Sequence, residues 1–345
     1  MLARIPRLLT LTAIAISALT LGGCASVERA GTNMAIKKVF EERITPEVMK
    51  LGDVDMVCSF SYVNAPLITA MRGFHGEPEL METVMLSAGG VCSDAQAVTE
   101  ELRYLRASRE KRPDDAQDAR IAQKRLLALT AQRQYTAFLR MKTRLEAKYN
   151  FKYGASKQSC PDFDRDFDEF VYLMGTISGL QAMQNDIAAQ QSVGVPTDIA
   201  PLADTALTCL NNAKWWGVPE AARATVWSII PGAGQGRDIK GTFEKSMTLG
   251  EAKGVRLAHV MAAMAAQSSD DTATVKEVIK RFANVQNFTP SKDYQLIDAI
   301  AQEQMQNISD RLWTQNAGTR TPLASLGKFW DDKVGGDVNA DEFLK

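Results

Sequence analysis

The sequence predicts an all-α protein, a TPR-like α-solenoid of stacked antiparallel helix hairpins. Three observations predict it. Apolar residues recur at i, i+3, i+4 and i+7 through most of the chain, the period that gathers side chains on one helix face. Gly, Pro and Ser-Asp clusters cut that pattern into lengths of single helices. No stretch has the alternation and hairpin turns of strands.

The first element is of another kind. Arg4 and Arg7 precede an uncharged apolar run, Leu8 to Leu21, and "LTLGGCAS" (Leu19–Ser26) closes it with Gly22, Gly23 and Cys24. These are the three regions of a secretory signal, and the run is shorter than the roughly twenty residues that span a bilayer. Leu21-Gly22-Gly23-Cys24 resembles the lipobox of bacterial lipoproteins, which predicts an acylated Cys24 as the new N-terminus. Ala25 and Ser26 lack the aspartate that retains many such proteins in the inner membrane. The expected address is the outer membrane, facing the periplasm. The expected organisation is a signal at 1–23, an anchor linker at 24–45, a helical domain at 46–313 and a polar C-terminal tail at 314–345.

Without residues 1–23, about 320 residues remain with a net charge near −3, so no basic excess draws nucleic acid. The chain holds two histidines, His75 and His259, which leaves little material for a His-based metal site or a Ser-His-Asp triad. No catalytic residue, metal or cofactor is assigned, and the expectation is a protein that is not an enzyme.

Helices are predicted over 53–72 and 79–92, joined by the breaker cluster Gly73-Phe74-His75-Gly76-Glu77-Pro78. Cys58 and Cys92 are each seventeen positions from His75, so an antiparallel hairpin sets them side by side. Cys160 opens a second hairpin, and Cys209 lies late in its second helix, across the Pro196 loop. In an oxidising periplasm these four cysteines are expected as the disulfides Cys58–Cys92 and Cys160–Cys209. Loops of this length give each bridge about 4 kcal/mol on the chain-entropy account.

The next helix is predicted within 118–149, with Leu126, Leu129, Phe138, Leu139 and Leu145 as its apolar members. Another is predicted over 165–190, with Phe170, Leu173, Met174, Ile177 and Leu180 on one face. Asp162, Asp164, Asp166 and Asp168 near its start suit the positive end of a helix dipole. That run lacks the glycine and terminal glutamate spacing of an EF-hand, so calcium is not expected. Further on, Phe243 and Met247 lie four apart, and Leu257, Val260, Met261 and Met264 repeat the helical spacing. So do Val275, Val278, Ile279 and Phe282, and a longer stripe runs through Ile297, Ala301, Met305, Ile308 and Leu312.

The segments "GTFEKSMTLGEAKGVRLAHVMAAMAAQSSDDTATVKEVIKRF" and "YQLIDAIAQEQMQNISDRLW" resemble the C-terminal part of TatT-like T-component lipoproteins of TRAP transporters. "VDMVCSFSYVNAPLITAMRGFHGEPELMETVMLSAGGVC" is similar to that family's opening hairpin, and "PGAGQGRDIKGTFEKSM" to its Gly-rich lead into a repeat. The resemblance spans about 50–313. The four internal cysteines, Trp215-Trp216 and the tail depart from it. It implies a periplasmic TPR-like lipoprotein working beside a TRAP substrate-binding protein, with a path for a small apolar or organic-acid ligand. Tyr62, Trp215, Trp216 and Trp227 are the candidate aromatics for such a path. "PGAGQGRD" lacks the Lys and Ser/Thr of a phosphate loop and reads as a turn. Two alternatives share the composition: a helical-repeat scaffold for envelope assembly, and a hydrolase working through carboxylates alone.

Overall fold

A computed structural model describes residues 25–156 and 159–332. Cys24 and the signal expected before it lie outside the described residues. Among the described residues every regular element is helical. Helix α1 (25–35) widens into a π-helical stretch, Ile36–Ile44, and continues as α2 (Thr45–Met49). Then follow α3 (Val54–Ala70), α4 (Glu79–Arg109), α5 (Pro113–Tyr149), α6 (Asp166–Ala188), α7 (Ile199–Leu207) and α8 (Val218–Ile229). The series ends with α9 (Ile239–Lys253), α10 (Leu257–Ser268), α11 (Thr272–Ala283) and α12 (Gln295–Ala317).

The helix starts have local causes. The side chain of Asp53 accepts a hydrogen bond from the Met56 amide at 2.9 Å, and Asp238 and Asp271 cap α9 and α11 in the same way. Helix α5 begins on Pro113, followed by Asp114 and Asp115, which complement the positive helix end. The stop after α9 is Gly254 at φ +76°, where a Cβ would also strike the backbone of Thr289 and Ser291.

The α3–α4 turn ends on His75 in the left-handed region, and Cys58 and Cys92 meet across it with Cα atoms 5.7 Å apart. Cys160 and Cys209 are bonded as well, at 5.3 Å. Their hairpin is unequal, because α6 has 23 residues and α7 only nine. Cys160 sits in the loop before α6, and Cys209 lies just beyond the end of α7.

Helices α4, α5 and α6 form one packed group, with α3 on the outer side of α4. Small residues let them approach closely. A Cβ on Gly179 would lie 2.7 Å from the Phe138 ring, and one on Gly175 would lie 2.8 Å from Met141. Small hydroxyls are satisfied across the contacts, Ser87 with Ser178 and Thr130 with Ser93, each at 2.8 Å. Helices α8 to α11 form a second group, and α12 lies against both α4 and α10. In a nearest-neighbour stack each pair touches only the next. Here the last long helix returns to the first long hairpin.

The stripes of α11 and α12 are buried as expected, from Val275 to Phe282 and from Ile297 to Leu312. Each such side chain contributes about 1.5–3 kcal/mol. On α5 the buried arc differs: Leu129 and Leu139 are exposed, and Leu127, Ala131, Ala137, Phe138, Met141 and Leu145 face inward. The five expected residues mix two faces, since Leu139 is turned about 100° from Phe138.

Both outer boundaries also differ from expectation. The stretch expected as a linker at 24–45 is helical from residue 25, and Ile36, Glu41, Thr45 and Met49 are buried. The tail expected from 314 begins inside α12. Its residues up to 332 fold back on α11 and α12 through Trp313–Trp330 ring contact, Lys276–Asp331 and Lys280–Asp332.

Candidate functional site

Helices α4, α6 and α12 each turn one face toward a common cleft, and each face changes character along its length. On α12 the lining runs Leu296, Ile300, Gln304, Asn307, Arg311; on α6 it runs Phe170, Met174, Ile177, Gln181, Gln184. On α4 Val84, Ala88 and Val91 are followed by Asp94 and then Val98. Helical spacing puts each set on one face. Because the α6 and α12 faces turn to amides and Arg311 toward their C-terminal ends and α4 adds Asp94 there, the cleft has one apolar end and one more polar end, where these groups share the lining with Val98, Val260, Met264 and Ile308. Between atoms the apolar part has about 800 Å³ and the polar part about 580 Å³ of space, open solvent included, and neither part is a closed cavity. Gln181 and Gln304 line both. A side chamber of about 520 Å³ between α6, α8 and α10 is bounded by Gln181 and Ile177 as well.

The polar end carries a network and several open groups. Gln134 donates to Gln181 at 3.2 Å, and Asn185 donates to Gln134 at 2.9 Å. Arg311 donates to Gln267 at 2.8 Å and to Glu101 at 2.5 Å, while its Nε is buried without a partner. Asp94 lines this end with no hydrogen bond or ion pair among the described residues. Burial pushes its carboxyl up to about 6 against the pull of Arg311, and Glu101 and Glu303 add to the rise. Glu303 is itself raised, by burial and then by Asp55.

The aromatics expected along a ligand path lie elsewhere. Trp215 and Trp216 are core residues packed with Phe170 and Tyr294, and Trp215 Nε1 donates to Glu169 at 2.6 Å. Trp227 is buried between the guanidinium groups of Arg223 and Arg237 and donates to Asp204 at 2.9 Å. Tyr62 is exposed on α3, with its ring beside Gly89 of α4 and under Arg133 of α5. None of the four lines the cleft or the side chamber. The physical reason is size and polarity: a large ring with one polar atom packs well where that atom meets a fixed charge, as the indole N–H groups of Trp215 and Trp227 do at Glu169 and Asp204.

The acidic run before α6 is committed to cations. Asp168 is fully buried against Arg165, Lys148 and Tyr149. Asp164 is held down at about 2 by hydrogen bonds from Tyr149 and Lys148, and Asp166 pairs with Lys214 at 2.8 Å. Among the described residues no group of three or more His, Cys, Asp or Glu side chains is placed to hold a metal. His259 is buried with Nε2 2.9 Å from Glu251 and against the Phe282 ring. Burial lowers its pKa. Burial opposes ionisation of Glu251 too, but hydrogen bonds involving His259 and Arg281 hold that carboxyl at about 2. His75 is exposed in the α3–α4 turn.

The residues that build the cleft were not singled out from sequence. A signal for them exists: beside the apolar stripe of α12, positions 300, 304, 307 and 311 follow the same spacing and turn from Ile to Gln, Asn and Arg. Compared with family models, curated proteins and solved structures, the chain matches none, so the resemblance to T-component lipoproteins has no support from these comparisons.

Proposed function

We propose that the chain is a lipid-anchored binding protein facing the periplasm, which holds a small amphipathic solute as an accessory component of TRAP-type uptake. One observation carries the binding part: a cleft lined by α4, α6 and α12 that is apolar at one end and polar at the other. Such a cleft can remove most of a small ligand from water, which an open groove for a peptide or helix does not do. The reading is of a binder and not an enzyme. Among the described residues Asp94 is the single carboxylate lining the cleft, whereas hydrolysis by carboxylates alone uses two.

The anchor reading draws support from the N-terminal helix. The Glu77 amide donates to Asn33 at 2.8 Å, which sets α1 beside the α3–α4 turn, and residues 25–31 beyond it are exposed. From Thr32 back to residue 25 is about 10 Å of helix, so a lipid at Cys24 holds that turn close to a membrane. Exposed Val27, Met34, Leu67 and Phe74 belong to the same end. The outer-membrane address rests on Ala25 and Ser26.

The test uses the mature protein purified from membranes. Mass spectrometry of its N-terminus should find acylated Cys24. A fluorescent apolar probe should bind the folded chain, and Val91→Trp, which fills the cleft from its half-buried wall, should abolish binding while the helical circular dichroism is kept. Probe binding that survives Val91→Trp overturns the cleft reading. Periplasmic cross-linking that recovers assembly factors and no solute-binding protein overturns the uptake reading in favour of a scaffold.

A further inference from the structure

Taking the cleft as a ligand site, we infer that its polar end is a cation subsite: it receives the protonated amine headgroup of an amphipathic ligand, with Asp94 as counter-charge. The charge arrangement carries this. Arg311 is the one cation lining the polar end among the described residues, and it is already paired with Glu101 and hydrogen-bonded to Gln267. Asp94 has no such partner. Within the lining Asp94 and Arg311 carry opposite charges, and Arg311 attracts Asp94 without an ion pair; Glu101 and Glu303, which do not line the cleft, both act on Asp94 and leave this end with an excess of negative charge. Asp94 is half-buried and has no ion-pair partner, and a carboxylate that has lost much of its water is stabilised when an ammonium group supplies the opposite charge and the donors it lacks.

The neutral groups fit the same headgroup. Gln184 on α6 and Gln304 and Asn307 on α12 line this end without a hydrogen-bond partner among the described residues. Their carbonyl oxygens can accept the ammonium hydrogens that Asp94 does not. Beyond them the lining becomes apolar toward Ile300 and Leu296, giving about 16 Å of helix from Arg311 to Ile300 alongside which an alkyl chain can lie. An organic acid, the ligand class implied by the family resemblance, would set its carboxylate against Asp94 and Glu101, and would find only the Nε–H of Arg311 unpartnered, since Nη1 and Nη2 serve Gln267 and Glu101.

The groups around Asp94 also set a pH dependence. They are Glu101 on α4, Gln134 on α5, Gln184 and Asn185 on α6, Gln267 on α10, and Glu303, Asn307 and Arg311 on α12. Asp94 gains a proton as pH falls through about 6, so the subsite loses its charge there while the ligand amine stays protonated.

The experiment is isothermal titration of the purified mature chain with n-octylamine, n-octanol and n-octanoate at pH 8 and pH 5. The amine should bind at least about tenfold more tightly than the alcohol at pH 8, and the octanoate more weakly than either. Asp94→Asn should bring the amine level with the alcohol, and pH 5 should do the same to the unsubstituted chain. Octanoate binding as tightly as the amine, or an amine preference that survives Asp94→Asn, overturns the cation subsite while leaving the cleft as a binding site. Failure of all three ligands to bind overturns both.

Discussion

Replacing Asp94 by Asn should make the protein more stable at neutral pH. The side chains are nearly the same size, so the change removes a charge and little else. The carboxyl is pushed from 3.8 to about 6 in the folded chain, burial being the main cause. A raised carboxylate pKa means that the folded state holds the proton more tightly than the unfolded state does. The ionised group therefore costs stability above the folded pKa, and the cost vanishes below the unfolded one. A rise of about two units corresponds to ~3 kcal/mol at pH 8, about half of that at pH 5 and ~0.5 kcal/mol at pH 4. Water entering the cleft reduces the full figure, and a gain of about 1–3 kcal/mol at pH 8 is expected. Urea unfolding followed by circular dichroism at pH 8, 5 and 4 measures it, with the unsubstituted chain as reference. An Asn variant less stable than the parent at pH 8, or a gain that does not shrink on acidification, refutes the reasoning. The result bears on function, since a group that destabilises the empty protein is one a ligand can satisfy.

Three other outcomes follow from the fold. Replacing Cys160 and Cys209 together by Ser should lower stability by about 4 kcal/mol on the chain-entropy account for a separation of 49 residues, read by urea unfolding under non-reducing conditions. Asp298→Ala should cost about 3–5 kcal/mol, because it leaves Arg256 buried between Phe282 and Phe288 without its carboxylate partner at 2.7 Å. Leu139→Gln on the exposed face of α5 should change stability by less than about 0.5 kcal/mol, whereas Leu145→Ala on its buried face should cost about 2–5 kcal/mol.

The sequence by itself determined whatever depends on neighbours along one helix or one turn. The all-helical character, the buried stripes from Val275 to Phe282 and from Ile297 to Leu312, and the pairing of Cys58 with Cys92 around the His75 turn are of this kind. Local periodicity sets which face of a helix is apolar, and a tight turn sets which residues of a hairpin are opposite. Tertiary structure decided what required distant segments to meet. Trp215, Trp216 and Trp227 became core because Glu169, Tyr294, Asp204 and Arg237 arrived from other elements to cover them. Leu129 and Leu139 stayed outside because the glycines of α4 and α6 meet α5 at Gln134, Phe138 and Met141. The cleft is the furthest from local pattern. Val84, Phe170 and Leu296 begin three faces that gain polar residues in the same direction, and they line one cleft only because α12 returns to α4. Asp94 alone is an ordinary helical aspartate; Glu101 lies on its own helix, but Arg311, Glu303 and most of the side chains that cover it come from helices distant in the chain.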